Sequence, residues 1–273
     1  MKALRTLVLL LALFALLLAA CTRGQTLEDL PTPVNPDTYP TEVFLTQNAP
    51  PAGFSTIAFP QVDLNLNRIA GWRYEVLLSF EGVFASTPRQ TSASARAQVW
   101  FNQLGSARRV VLVTTGELIG QGTQDETTTI EGVRLGPDSF LVRAGVCLTN
   151  AGEDAARAAD LSAGGLIGGI TSAVPTGRQA VLNGVQAWQY QFSNDALVLP
   201  NIRPAEGGSI AMSAPGEIWV APAYNAIVRF YVTLDVQNAI LFDRQLPVSG
   251  QVIIRFDLYE IGVAQNISVP FGC

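Results

Sequence analysis

The stretch "WRYEVLLSFEGVF", Trp72–Phe84, decides the architecture. Trp72, Tyr74, Val76, Leu78, Phe80 and Phe84 fall on one side of a period-two pattern, and Arg73, Glu75, Ser79 and Glu81 fall on the other. Successive side chains of a strand point to opposite faces, so the alternation predicts a long strand with one buried face and one wet face. Similar runs recur at "SARAQVWFNQ", "RRVVLVTTGEL", "TTTIEGVRLG", "SFLVRAG", "VQAWQYQFS", "GEIWVAP", "AIVRFYVTLDV" and "GQVIIRFDLYEIG", with Gly, Pro, Asn or Asp at the joints. Roughly nine antiparallel strands are expected, forming a large curved sheet, a barrel or a sandwich.

One segment departs from this pattern. "EDAARAADLSAGGLIGGITSAV", Glu153–Val174, is rich in alanine and carries Leu161, Leu166, Ile167 and Ile170. It reads as one or two helices interrupted at Gly164-Gly165, with Asn150 and Glu153 spaced as a capping pair at the start. A small helical segment inside a mainly β domain needs a surface to cover, and the concave side of a curved sheet supplies one. The spacings Gly164/Gly168 and Gly165/Gly169 fit turns and tight packing; the sharper reading is room for a ligand or for helix movement.

The N-terminus has its own logic. The apolar run Leu7–Ala20 is shorter than the roughly 20 residues a spanning helix needs. Lys2 and Arg5 precede it and the small residues Ala19 and Ala20 follow, as in a secretion signal. Cys21 directly after Leu18-Ala19-Ala20 resembles the lipobox of bacterial lipoproteins, in which the thiol is diacylated and the signal removed. Acyl chains contribute about 0.8 kcal/mol per buried CH₂, enough to hold a protein at a membrane that no helix crosses. The alternative is an ordinary cleaved signal with an incidental cysteine. The expected organisation is a signal at 1–20, a lipidated Cys21 with a proline-rich tether through 40, and a single domain at 41–273. The setting is the outer face of a bacterial membrane, at the cell surface or in the periplasm. Cys147 and Cys273 then form an even pair in an oxidising compartment, and a bridge between them is expected; two buried free thiols are the alternative.

Several chemistries are disfavoured. The chain is acidic, with a net charge of −5, and its only lysine is Lys2, so nucleic acid is not the expected partner. There is no histidine, which removes Ser-His and Cys-His nucleophile systems and imidazole metal sites. "GGSIA", Gly207–Ala211, lacks the last glycine of a nucleophile elbow and reads as a loop. "DLNLN", Asp63–Asn67, starts like a calcium loop but continues with Arg68 where glycine is required, and Tyr74 stands where the closing glutamate belongs. No metal site, no cofactor and no enzymatic activity are expected.

The order of elements carries a resemblance. Gly184, Tyr190 and Phe192, then Gly216, Trp219 and Val220, then Tyr259, Glu260 and Gly262, and finally Ile267 with Pro270 resemble the strand motifs of the LppX/LprG and LolA-like bacterial lipoprotein carriers. The outline spans Trp72–Pro270. An acidic position of that family is missing between Trp219 and Arg229. The resemblance implies a half-barrel sheet wrapping one or two helices around an apolar cavity that receives acyl chains. On that basis Trp72, Tyr74, Phe80, Trp100, Trp188 and Tyr190 are the expected ligand-binding residues of the sheet. Leu161, Leu166 and Ile170 would form the helical side. For each of them ordinary core packing is the competing reading. An anchored protein-interaction or structural module with a filled interior is the competing function.

Overall fold

The computed structural model describes residues 48–87, 89–118, 126–242 and 246–273, all within one compact unit, Leu45–Cys273. The expected signal, Cys21 and tether lie outside the described residues. Strands β1 (Ile57–Phe59), β2 (Gly71–Phe84), β3 (Gln90–Asn102), β4 (Ala107–Thr115), β5 (Thr127–Leu135), β6 (Asp138–Arg143) and β7 (Val146–Cys147) precede helices α1 (Gly152–Ala159) and α2 (Ala163–Ile167). Then follow β8 (Gly169–Leu182), β9 (Val185–Gln191), β10 (Leu197–Val198), β11 (Ile202–Met212), β12 (Glu217–Ala221), β13 (Ala226–Leu241) and β14 (Val248–Tyr259). They make one antiparallel sheet in the order β1-β8-β9-β12-β13-β14-β2-β3-β4-β5-β6-β7, with β10 beside β8 and β11 beside β13. The path does not close on itself, so the fold is a mainly β half-barrel with a small helical segment.

Register explains the core. Tyr190, Ile218, Phe230, Phe256, Val76, Ala97, Leu112 and Ile130 are successive cross-strand partners from β9 to β5. The first six are buried, while Leu112 and Ile130 are half-buried. Across β2 and β3 the large Phe80, Leu78 and Val76 face the small Ala93, Ala95 and Ala97, the large-small pairing that fills a tapering concave face. On the opposite face Trp219, Arg229, Asp257, Glu75 and Gln98 form the parallel row.

The helical segment is shorter than the sequence suggests. Its break falls at Asp160–Ser162, and Gly164-Gly165 lie inside α2. The residue before α1 is Ala151 and no side chain caps it, so the Asn150–Glu153 pairing does not form. Ile170 belongs to β8, opposite Phe59 and Leu197, rather than to a helix. The glycines serve close packing: a Cβ on Gly164 would lie 2.4 Å from Gln61 Cβ, and one on Gly169 2.1 Å from Phe59 O. Helix α1 lies directly on β5, where a Cβ on Gly132 would come within 2.5 Å of the Ala158–Ala159 backbone. "GGSIA" is part of β11, whose Ser209 pairs with Gln237.

Cys147 and Cys273 form a disulfide, with S–S 2.07 Å and Cα–Cα 5.4 Å. The chain leaves β14 beside the start of β2, where Gly262 N donates to Gly71 O at 2.8 Å. Asn102 Nδ2 of β3 then donates to Gln265 O at 2.8 Å. The last residues therefore cross from β2 to the edge strand β7, where the bridge holds them.

Candidate functional site

The starts of β2, β4, β9 and β13 and the ends of β3, β5, β12 and β14 gather at one end of the sheet. The loop between β1 and β2 packs there, burying Val62, Leu66 and Ile69. Asp63 fixes the loop to α2, accepting from Ala163 N at 2.8 Å and Gly164 N at 2.9 Å. Both its oxygens are used by amides, which accounts for the acidic start of "DLNLN" without a cation. No group of metal-binding side chains occurs among the described residues.

Most of the expected sheet residues are packed core. Trp72, Tyr74, Phe80, Ile170 and Tyr190 are each at most 2 % exposed. Trp72 stacks on Tyr74 and Phe101, with both centroids at 5.1 Å, and its Nε1 donates to Leu66 O at 2.8 Å. Tyr74 Oη accepts from Ala163 N at 3.0 Å and from Arg108 Nη2 at 3.2 Å. Burial pushes its phenol up to about 12. Leu161 and Leu166 are half-buried against the same core. Trp100 corrects the expectation: it pairs with Arg73 and Arg109, on the face opposite Tyr74 and Val99, where the Arg109 guanidinium stands 5.2 Å from its ring. The run "VWF" places two aromatic residues on opposite sides, and only Phe101 faces inward.

Trp188 stands apart. It shares the inner face with Tyr190 but sits at the rim, in an open groove of about 540 Å³ with Pro51, Phe54, Val185, Pro222 and Tyr224 among its walls. The tight turn Asn183-Gly184, with φ 51° and 86°, is the left-handed pair a two-residue hairpin favours, and it sets Val185 and Trp188 in place. Asn183 Nδ2 secures the turn to Leu258 O at 2.8 Å. On the other wall, Pro222–Tyr224 make a single 3-10 turn ended by Asn225 at φ 47°. The Phe54 wall is held by Tyr190 Oη, which donates to Phe54 O at 2.9 Å.

The groove is mostly apolar, and one residue of its lining has an unmet polar group. Trp188 Nε1 is the only buried side-chain nitrogen or oxygen without a partner among the described residues. Buried indole N–H groups ordinarily find an acceptor, and leaving one unpaired costs about 1–3 kcal/mol. An apolar ligand with an oxygen near the indole would recover that energy.

No family model matches this chain, and no curated protein matches it. Solved structures do resemble it. LprF from Mycobacterium bovis is similar at 10% identity over 78% of this chain and 99% of that one, with a TM-score of 0.33. The LolA superfamily protein NE2245 from Nitrosomonas europaea is similar at 8% identity over 78% and 96%, with a TM-score of 0.24. A DUF1329 family protein from Desulfovibrio piger is similar at 9% identity over 76% and 91%, with a TM-score of 0.19. The structural neighbours of this half-barrel thus include LprF, a LolA superfamily protein and a DUF1329 family protein.

Proposed function

We propose that this protein is an extracytoplasmic lipoprotein, anchored through Cys21 to the outer face of a bacterial membrane, that binds a hydrophobic ligand without transforming it. The ligand carries an acyl chain and a carbonyl or carboxyl oxygen. Its chain lies in the groove of Phe54, Val185, Trp188 and Tyr224, and its oxygen accepts from Trp188 Nε1 when the indole turns to present that nitrogen to the groove. Residues 1–20 act as the signal, 21–40 as the tether and 41–273 as the binding domain. The observation that carries this reading is an apolar groove lined by Trp188, whose buried indole N–H has no partner among the described residues.

The proposal moves the ligand from the interior to the rim. Trp72, Tyr74 and Phe80 are packed core and do not line the groove. The test is native mass spectrometry of the purified full chain, followed by solvent extraction. An acyl-bearing molecule at a fixed stoichiometry, lost in Ala223→Trp, supports the reading; a ligand-free mass from every expression host contradicts it. A second reading, an interaction module, is favoured by the opposite face of the sheet. There Arg229 and Arg255 stand over Tyr231, and Arg73 over Tyr259, the residue types that dominate protein interfaces.

A further inference from the structure

A second concavity, of about 420 Å³, opens at the same end of the sheet. Asn65, whose Nδ2 donates to Asn225 O at 3.1 Å, lies between it and the Trp188 groove. Its walls hold three guanidinium groups, Arg68, Arg108 and Arg134, against one carboxylate, Asp63, which the α2 amides already occupy. This is an unusual concentration in a chain of net charge −5.

The register makes it more so. Arg108 and Arg134 are direct cross-strand partners on the inner face, in the row that continues from Trp72 and Phe101. Like charges placed directly opposite destabilise a sheet unless something offsets them. Arg134 has a counter-ion in Asp160. Arg108 has none: its Nε donates to Ala159 O at 2.9 Å and its Nη2 to Leu161 O at 2.7 Å and to Tyr74 Oη. Nη1 has no partner among the described residues, and the guanidinium stands 5.5 Å from the Trp72 ring. The half-buried arginines Arg73, Arg109, Arg134 and Arg229 each meet a carboxylate; among the described residues Arg108 is the half-buried one that does not. Arg68 lines the same space and makes no ion pair among the described residues.

We propose that this concavity is an oxyanion site for a phosphate group, with Arg108 Nη1 and Arg68 as donors and Arg134 adding positive charge. Guanidinium suits such an anion because it stays charged and its N–H groups give charge-assisted hydrogen bonds; with Nε and Nη2 of Arg108 committed to protein oxygens, Nη1 is the nitrogen left to donate. The Trp72 and Phe101 rings line the concavity beside the Arg108 guanidinium. This site is separate from the Trp188 groove and does not depend on what that groove binds.

The test titrates the purified full chain with inorganic phosphate and, separately, with dihexanoyl phosphatidic acid below its micelle concentration, following ³¹P shifts and calorimetric heats. Saturable binding of both identifies a site for free phosphate. Saturable binding of the lipid alone identifies a headgroup site. In either case Arg68→Gln, at an exposed position, weakens binding about tenfold or more. Arg178→Gln, at an exposed arginine outside the concavity, leaves it unchanged. Arg108→Lys keeps the charge, loses the Nη1 donor and weakens binding further; if that variant does not fold, the Arg68→Gln result decides. Failure of both probes to saturate, or Arg68→Gln binding as tightly as the parent, overturns the proposal.

Discussion

Opening the Cys147–Cys273 bridge should destabilise the domain by about 5 kcal/mol. The cysteines are separated by 126 residues, and the loop-entropy relation gives about 16 cal/mol/K for a closed loop of that size, or about 5 kcal/mol at 25 °C. Domains are stable by about 5–15 kcal/mol, so the bridge accounts for much of the total. It also holds the segment after β14 across the sheet, with Gln265 and Pro270 buried beneath it. Without the bridge, the hydrogen bonds of Gly71 O and Asn102 remain the local ties. The assay is urea unfolding followed by tryptophan fluorescence for the parent, the parent with reductant, and a Cys147→Ala/Cys273→Ala double variant. At a slope of about 2–3 kcal/mol/M, the unfolding midpoint should fall by about 2 M in both perturbed samples. A fall below about 0.4 M would refute the reasoning, because the loop would then constrain little in the unfolded chain. Loss of only the tail before the main transition would appear as separate transitions by fluorescence and circular dichroism.

Gly132→Ala should lower stability by about 1–3 kcal/mol, because the new methyl meets the α1 backbone, which cannot yield as a flexible side chain would; thermal unfolding measures it. The fully buried Tyr74, its phenol pushed up to about 12 from the ordinary tyrosine value of about 10, stays neutral while the unfolded chain ionises. Its contribution is therefore complete below about pH 10 and is lost as pH rises toward 12, about 2–3 kcal/mol in all. Denaturation midpoints between pH 9 and 12 should decline less steeply in Tyr74→Phe than in the parent. Trp188→Phe removes the unpaired N–H and keeps an aromatic ring, so the ligand-free protein should be as stable as the parent or up to about 1 kcal/mol more stable, while affinity for an acyl carboxylate falls about tenfold.

How much of this was legible in the sequence depended on whether a strand keeps one face wet. β2, β3, β13 and β14 lie inside the sheet and alternate over most of their length, which made them readable; β13 changes parity at Asn238, where its register against β14 shifts, and its last residues were not read. β8 and β11 were not. β8 carries Pro175 at a register shift against β9 and exposes residues on both faces, so no period of two survives. β11 shifts between Pro204 and Ser209, where Gly207 takes φ 72°, and its glycines read as a loop. The beginning of β8 was hidden for another reason: "GITSAV" continues the small, apolar composition of α2, and only the Gly168 turn at φ 76° separates them. The site divided in the same way. Trp188 could be named from its aromatic run, but the groove it lines depends on Pro222–Tyr224 and Phe54, which are remote in sequence. Arg108 had a readable signal that went unused: it shares the parity of Val110 and Leu112, so it is a cation on the apolar side of its strand.

Fluorescence titration with cis-parinaric acid, comparing the parent protein with Ala223→Trp, tests ligand binding in the Trp188 groove most directly. Ala223 is exposed on the groove wall, so a tryptophan there fills the space without disturbing the core. Saturable, one-site enhancement in the parent, with Trp188 quenched by energy transfer, and loss of both signals in Ala223→Trp is the predicted result. Equal binding by the two proteins, or none by the parent, would contradict it.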